Sequence, residues 1–295
     1  MEIMTAVLQD RPYQSDAVEA DVTAYDAGVR RMMNVMATGT GKTIVFAKLY
    51  EKLKSRLPGQ MMVVAHTEEL VNQNQTKLRE VNPGLKVGKE MAGTYADTDC
   101  DIISASVATL GRANSDRAKR FNWERIDKVI VDEAHHSVAD AYGRVFSLSG
   151  SLVEGTDKFL LGVTATSQRP DGKALSDIYE KVAFVYSLRQ AIADKWLVPI
   201  RGYRVTTDTS LDEVERSGGD YRVSALSAAV DNPSRNKRIV TAWKSLAMGR
   251  RTMAFTADIE HAKHLAEAFN EQGITAEAVW GDDPERANKI ARHRR

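Results

Sequence analysis

Met36-Ala37-Thr38-Gly39-Thr40-Gly41-Lys42-Thr43 decides how this chain is read, and Val131-Asp132-Glu133-Ala134-His135 completes the reading. Two glycines let a backbone wrap close to a phosphate chain, and the N-terminus of the helix that follows points free N–H groups at that negative charge. Lys42 is placed to bridge the outer phosphates and the Thr43 hydroxyl to ligate Mg²⁺. The apolar run Lys128-Val129-Ile130-Val131 predicts a buried parallel strand that ends in two carboxylates. There Asp132 would hold the hydration shell of the metal, and Glu133 would orient or deprotonate an attacking water. Together the two runs predict a site for nucleotide hydrolysis.

Each half taken alone has a plainer reading. The strict glycine-loop pattern has Gly where Met36 stands, so this loop by itself could be a helix start that carries Gly-Lys-Thr. An Asp-Glu pair after an apolar run is often a solvated helix N-terminus, where carboxylates suit the macrodipole. Order decides between them. Strand, glycine loop and helix, then strand and acidic pair, is the order required by a doubly wound parallel sheet with its ligand at the C-terminal ends of the strands.

The chain has 295 residues, 43% of them hydrophobic, which is enough for two domains with a core in each. Its 41 basic and 40 acidic residues leave a net charge of +1, so a nucleic-acid surface has to be a local stripe or cleft. Cys100 is the only cysteine, which excludes a disulfide framework and a cysteine zinc site. No apolar stretch approaches the ~20 residues of a membrane span, and Met1-Glu2-Ile3-Met4 lacks the regions of a signal peptide. A cytoplasmic location is expected.

Strand and helix signals alternate in the βα rhythm of a parallel sheet. They predict helices over 13–25, 42–57 and 68–81, and strands over 31–36, 61–65, 101–104, 128–131 and 159–163. After Leu197-Val198-Pro199 the pattern restarts. It predicts a strand near Tyr203, a polar loop at Ser217-Gly218-Gly219, helices over 234–248 and up to 271, and strands over 252–255 and 276–279.

Six short motifs stand in order along this frame: Arg11-Pro12-Tyr13-Gln14, the Thr38–Thr43 loop, Ala65-His66-Thr67-Glu68-Glu69-Leu70, Ser106-Val107-Ala108-Thr109-Leu110, Asp132-Glu133-Ala134-His135 and Thr164-Ala165-Thr166. In sequence and spacing the chain resembles superfamily 2 DEAD/DEAH-box helicases. Within them it looks most like the branch of restriction-enzyme motor subunits and bacterial DNA-repair helicases. The resemblance implies an α/β fold: a RecA-like P-loop NTPase domain over residues 1–198, then the N-terminal part of a second RecA-like domain over 199–295.

It also implies roles. Lys42, Asp132, Glu133 and His135 would be catalytic, with Mg²⁺ held by Thr43 and Asp132. ATP would be bound by Arg11, Gln14, Thr38, Gly39, Thr40, Gly41, Lys42 and Thr43, with Gln14 reading the adenine edge. His66, Thr67, Ser106 and Thr109 would face a nucleic-acid backbone, DNA or RNA. Thr164, Thr166 and Thr256 would couple the nucleotide to the second domain, with His135 as the hydroxyl partner of Thr164 and Thr166. Bland readings stand beside these: a helix-capping Gln14, strand-end capping by Ser106 or Thr109, and Thr164 and Thr166 as plain strand formers. Adjacent His135 and His136 point in different directions and have no third ligand nearby in sequence, which argues against zinc. Trp123, Trp196, Trp243 and Trp280 read as packing residues, and Arg292-His293-Arg294-Arg295 as a solvated helix end.

The second domain departs from the family. Arg251–Thr256 and Ile259–Ala262 look like its opening motif, but the last family motif, Gln-x-x-Gly-Arg-x-Gly-Arg with its arginine finger, does not follow. The expectation is an incomplete motor, slow in ATP hydrolysis by itself: a shortened chain, or one half of a split protein that a second polypeptide completes. Two other functions fit parts of the pattern: a viral DNA-packaging ATPase, and a non-catalytic nucleic-acid-binding module that uses ATP as a conformational ligand.

Overall fold

The computed structural model describes residues 11–166, 175–217 and 220–294. Met1–Met4, Gly218, Gly219 and Arg295, which carried readings of the chain start, the polar loop and the terminal basic cluster, lie outside the described residues. Two compact units divide the chain, Met1–Pro199 and Ile200–Arg295.

In the first unit the elements are α1 (Pro12–Asp26), β1 (Arg31–Met36), α2 (Lys42–Leu53), β2 (Gln60–Ala65), α3 (Glu68–Val81), β3 (Val87–Glu90), β4 (Ile102–Ser106), α4 (Val107–Leu110), α5 (Asp116–Lys119), β5 (Ile126–Asp132), α6 (Asp140–Ser149), β6 (Phe159–Thr164), β7 (Lys181–Tyr186) and α7 (Leu188–Ala193). The strands form one seven-stranded sheet in the order β3-β4-β2-β5-β6-β1-β7, parallel throughout. This is the doubly wound α/β architecture expected from the sequence. The strands β2 and β6 are buried along their whole length because helices cover both faces, which is why they read as apolar runs without alternation. Strand period then sorts neighbours to opposite cores. Met61, Val63, Ile130 and Leu161 pack with Phe46 and Leu49 of α2 on one face, and Met62, Val64, Val129 and Leu160 pack with Tyr142 and Phe146 of α6 on the other.

Two strands were not anticipated. Val87-Gly88-Lys89-Glu90 is short and carries Gly and two charges, and β7 sits at the opposite edge with most of its residues outside the core. Both are edge strands, recruited by a neighbour rather than by their own pattern. Helix α2 ends at Leu53, short of the expected Leu57: the chain tightens into a turn in which the N–H groups of Arg56 and Leu57 both donate to Leu53 O, and Pro58 keeps Leu57 from continuing the helix.

The second unit contains α8 (Val223–Val230), α9 (Pro233–Leu246), α10 (Ile259–Asn270), α11 (Arg286–Arg294) and the two-residue strands β8 (Arg216–Ser217) and β9 (Asp220–Tyr221). Helix α9 starts where Asn232 Oδ1 accepts from Arg235 N, with Pro233 in the first turn. It packs on α10 through Val240, Trp243, Leu265 and Phe269. The strands expected near Tyr203 and over 252–255 and 276–279 do not form. A strand is held by its ladder, and these segments have no neighbouring strand among the described residues. Met253 and Phe255 stand 68% and 91% exposed as a result. No helix among the described residues is long and apolar enough to cross a membrane.

Candidate nucleotide and nucleic-acid site

Strands β1, β5 and β6 lie side by side and deliver the glycine loop, the acidic pair and Thr164 to one edge of the sheet, at their C-terminal ends. The loop turns into α2 at Gly41, whose φ of +80° is the left-handed region open to glycine. A Cβ there would come within 2.5 Å of Gln14 Nε2, so the glycine is required by close approach as well. Thr40 is buried and tied to the loop, its Oγ1 donating to Ala37 O at 2.6 Å. Its carbonyl accepts from Tyr13 OH at 2.7 Å and from Gln14 Nε2 at 3.0 Å. Arg11 Nη1 reaches Gly39 O at 3.4 Å and Tyr13 OH at 3.0 Å, and its guanidinium lies 5.2 Å from the Trp196 ring. Gln14 is only 3% exposed. Its amide nitrogen therefore braces the loop, and contact with an adenine edge would fall to its carbonyl Oε1. Thr38 is exposed at the tip.

Across the loop, Lys42 Nζ donates to Glu133 Oε1 at 2.8 Å. Glu133 has φ +54° and ψ +55°, a left-handed conformation that costs a non-glycine residue roughly 1–2 kcal/mol. This backbone turn directly after β5 separates the two carboxylates: Asp132 Oδ1 accepts the Glu133 N–H at 3.0 Å, while the Glu133 side chain faces Lys42. Asp132 Oδ2 accepts from Asn74 Nδ2 at 3.0 Å, and Asn74 Oδ1 accepts from Thr43 Oγ1 at 3.3 Å. One buried amide thus bridges the two side chains expected at the metal. Burial holds the Asp132 carboxyl above its ordinary pKa, opposed by the Asn74 hydrogen bond and the Lys42 charge. Sequence reasoning missed Asn74. The signal was present, a polar residue at helical spacing inside the buried stripe Val71, Asn74, Leu78 of α3.

His135 Nδ1 lies 3.1 Å from Thr164 Oγ1 and 3.4 Å from Glu133 Oε2. The Thr164 hydroxyl also accepts the Thr166 N–H at 3.2 Å. Thr166 joins this group through its backbone. The folded chain adds an imidazole that sequence spacing did not foresee: the His66 ring sits 4.1 Å from that of His136, which sits 4.2 Å from that of His135. Among the described residues no group of three or more His, Cys, Asp or Glu side chains is arranged to hold a metal ion. A Mg²⁺ site is a different case, since that ion keeps most of its waters and takes one or two protein oxygens. The phosphate cradle, the Thr43 hydroxyl and the Asp132 carboxylate fit such an ion with a nucleotide.

The residues expected at a nucleic-acid backbone lie at the ends of β2 and β4, neighbours in the sheet. Thr67 is the N-cap of α3, its Oγ1 accepting from Leu70 N at 3.3 Å. Ser106 holds the N-cap position of α4 without a side-chain cap bond. Thr109 Oγ1 accepts from Ala92 N at 3.4 Å, and its carbonyl from Ser115 Oγ at 2.8 Å. Thr256 belongs to the second unit, where its hydroxyl donates to Asp258 O at 3.0 Å. Trp123 donates to Ala118 O and Trp243 to Thr252 Oγ1, both in packing roles.

Residues 8–169 match the family described as Type III restriction enzyme, res subunit. A Saccharomyces cerevisiae protein named "Putative ATP-dependent helicase IRC3" is 30% identical over 285 residues, covering 92% of this chain and 40% of that protein. The Type I restriction enzyme EcoAI endonuclease subunit of Escherichia coli is 28% identical over 281 residues, covering 88% of this chain and 34% of the subunit. Among solved structures, the ATP-dependent Type ISP restriction-modification enzyme LlaBIII bound to DNA aligns over 89% of this chain and 21% of its own, with a TM-score of 0.55 at 18% identity. That likeness is one of fold. The chain spans less than half the length of these curated relatives.

Proposed function

The chain belongs to the type III restriction enzyme res-subunit family, a restriction-enzyme motor branch of the superfamily 2 helicases, and from that premise we propose that it is the ATP-binding portion of a DNA helicase or translocase. Its first domain, over residues 1–198, would bind ATP and Mg²⁺, and residues 199–295 would begin the second motor domain. One observation carries the reading. Around the N-terminus of α2, the Lys42 ammonium meets Glu133 at 2.8 Å, while Asn74 joins the Thr43 hydroxyl to the Asp132 carboxylate. Cation, hydroxyl and two carboxylates converge where helix N–H groups favour phosphate.

In this proposal Lys42 leaves Glu133 for the outer phosphates when nucleotide enters. Glu133 is then free to orient a water or take its proton, with His135, itself in contact with the Thr164 hydroxyl, beside the carboxylate's outer oxygen. A bound Mg²⁺ would supply charge neutralisation on the phosphates. His66, Thr67, Ser106 and Thr109 would line the nucleic-acid side. The packaging-ATPase and non-catalytic readings gain no observation from the site or the relatives.

The test is steady-state ATP hydrolysis with and without single-stranded DNA, double-stranded DNA and RNA, alongside calorimetric titration with nucleotide. Lys42→Ala is expected to weaken ATP binding by about 1.5–3 kcal/mol, the size of a charge-assisted contact. Glu133→Gln should keep the affinity and abolish turnover in an assembly that otherwise hydrolyses ATP. Unchanged affinity in the Lys42 variant would place the nucleotide elsewhere, and full turnover in the Glu133 variant would remove that carboxylate from the chemistry.

A further inference from the structure

We propose that Tyr95 is a base-stacking contact for single-stranded nucleic acid, presented beside Thr109 on a platform of two arginines. The inference rests on the nucleic-acid reading above and adds a residue that none of the six motifs contains.

Strand β3 ends at Glu90, whose side chain is fully buried. Its carboxylate takes two guanidiniums, Arg117 through Nε and Nη2 and Arg120 through Nη1 at 3.2 Å, and also accepts the Ala96 N–H at 2.9 Å. Arg117 donates further to the carbonyls of Ala92 and Thr94. All three nitrogens of its guanidinium are thereby committed, and the side chain is held in one place. The Tyr95 ring lies on this fixed plane, its centroid 3.6 Å from the Arg117 guanidinium carbon and 5.0 Å from that of Arg120. Even so, Tyr95 remains 60% exposed.

The clip over residues 90–96 is complete without that ring. The polar bonds of Arg117 go to Glu90, Ala92 and Thr94, so a small polar residue at 95 would leave the turn stapled. A large aromatic ring that is both exposed and held flat by two guanidiniums is available to a ligand with an apolar face. Holding the ring by cation–π contact removes the rotamer freedom that stacking would otherwise cost. Nucleobases offer such a face, and stacking on it tolerates any sequence.

Location and charge agree. The turn is joined to α4 through Ala92 N and Thr109 Oγ1, so Tyr95 neighbours the strand end that carries Ser106 and Thr109. Around the turn, Arg112, Arg117, Lys119 and Arg120 stand against Asp116 and the buried Glu90, a local excess of two positive charges in a chain whose total charge is only +1. A local cationic strip with an aromatic among it suits a single strand, whose phosphates and unpaired bases are both within reach.

The experiment is fluorescence anisotropy of labelled oligo(dT) and of an abasic oligomer of equal length, titrated with the unsubstituted chain, Tyr95→Ala and Tyr95→Phe. Tyr95→Ala should bind oligo(dT) about tenfold more weakly and the abasic oligomer unchanged, with thermal unfolding unaltered; Tyr95→Phe should bind both as the unsubstituted chain does. Oligo(dT) affinity unaffected by Tyr95→Ala would overturn the stacking role while leaving the nucleic-acid reading intact. Equal loss on both oligomers would also overturn it, showing that Tyr95 acts only by holding the arginines. Failure of the unsubstituted chain to bind either oligomer would overturn this inference and the nucleic-acid reading together.

Discussion

Asn74 does at residue scale what the glycine loop does for the backbone: its amide ties the Thr43 hydroxyl and the Asp132 carboxylate, the two oxygens proposed for the metal, into one hydrogen-bonded group. Its hydrogen bond opposes the upward pull of burial on Asp132, so Asn74→Ala should raise that pKa further. A protonated Asp132 offers a cation no charge, and the acid limb of Mg-nucleotide affinity should therefore move to higher pH. The variant's affinity loss, about tenfold, is expected to be larger at about pH 6 than at about pH 8 by titration calorimetry. Asp21 poses the same physics without a ligand. It is buried in α1, takes the Asn34 Nδ2 hydrogen bond at 2.7 Å from β1, and burial pushes its pKa to about 8. The folded state thus keeps a proton that the unfolded state has already lost. Stability from this group is complete below about pH 4 and is lost as pH rises toward about 8, by roughly 1.4 kcal/mol per unit, then levels. Asp21→Asn should remove this slope from a series of chemical denaturation curves, and an unchanged slope would mean that Asp21 is not its source.

Elements are positioned here by close approach. Gly162 on β6 lies opposite Val131 of β5, and a Cβ on it would come within 2.4 Å of the Tyr179 ring and 2.8 Å of Ala134 Cβ. The absent side chain lets the turn bearing Glu133 and His135 settle against the sheet. Gly162→Ala should therefore destabilise the fold by about 1–3 kcal/mol and displace the acidic turn. Thermal unfolding reads the first effect and nucleotide affinity the second. Loss of stability with full affinity would show that the turn adjusts independently of β6. The edge strands β3 and β7 obey a different rule, since their pairing with β4 and β1 supplies what their composition lacks.

Across the whole molecule the two units differ in how completely their apolar residues are enclosed. The first has a core on each face of its sheet, while the second has the small cluster around Val240, Leu265 and Phe269 and leaves Met253 and Phe255 in water. Hydrogen exchange should therefore find strong protection in β1, β2, β4, β5 and β6 and little over residues 251–256 and 274–280. Protection of 252–255 equal to that of β2 would show a ladder that the structure does not contain. The same contrast makes proteolysis of the second unit, with survival of the first, the expected course of a limited digest.

Local physics was enough for the central strands, the glycine loop and the acidic pair. Apolar runs such as Met61–Ala65 and Phe159–Val163 permit little besides a strand covered on both faces, and Gly39 and Gly41 before Lys42 permit a backbone that few other residues allow. From these followed the α/β class and the edge of the sheet where the glycine loop and the acidic pair meet. Tertiary structure alone decided that Asn74 would bridge Thr43 and Asp132, that Gln14 would brace Thr40, that His66 would join His135 and His136, and that Tyr95 would rest on Arg117. Each of these is a contact between segments far apart in the chain, whose side-chain types are compatible with many partners. Only packing of α3 and the β3 turn against a completed sheet chooses among them. The strands expected in the second unit show the converse: an apolar segment becomes a strand when a neighbour offers its hydrogen bonds, and composition by itself supplies none.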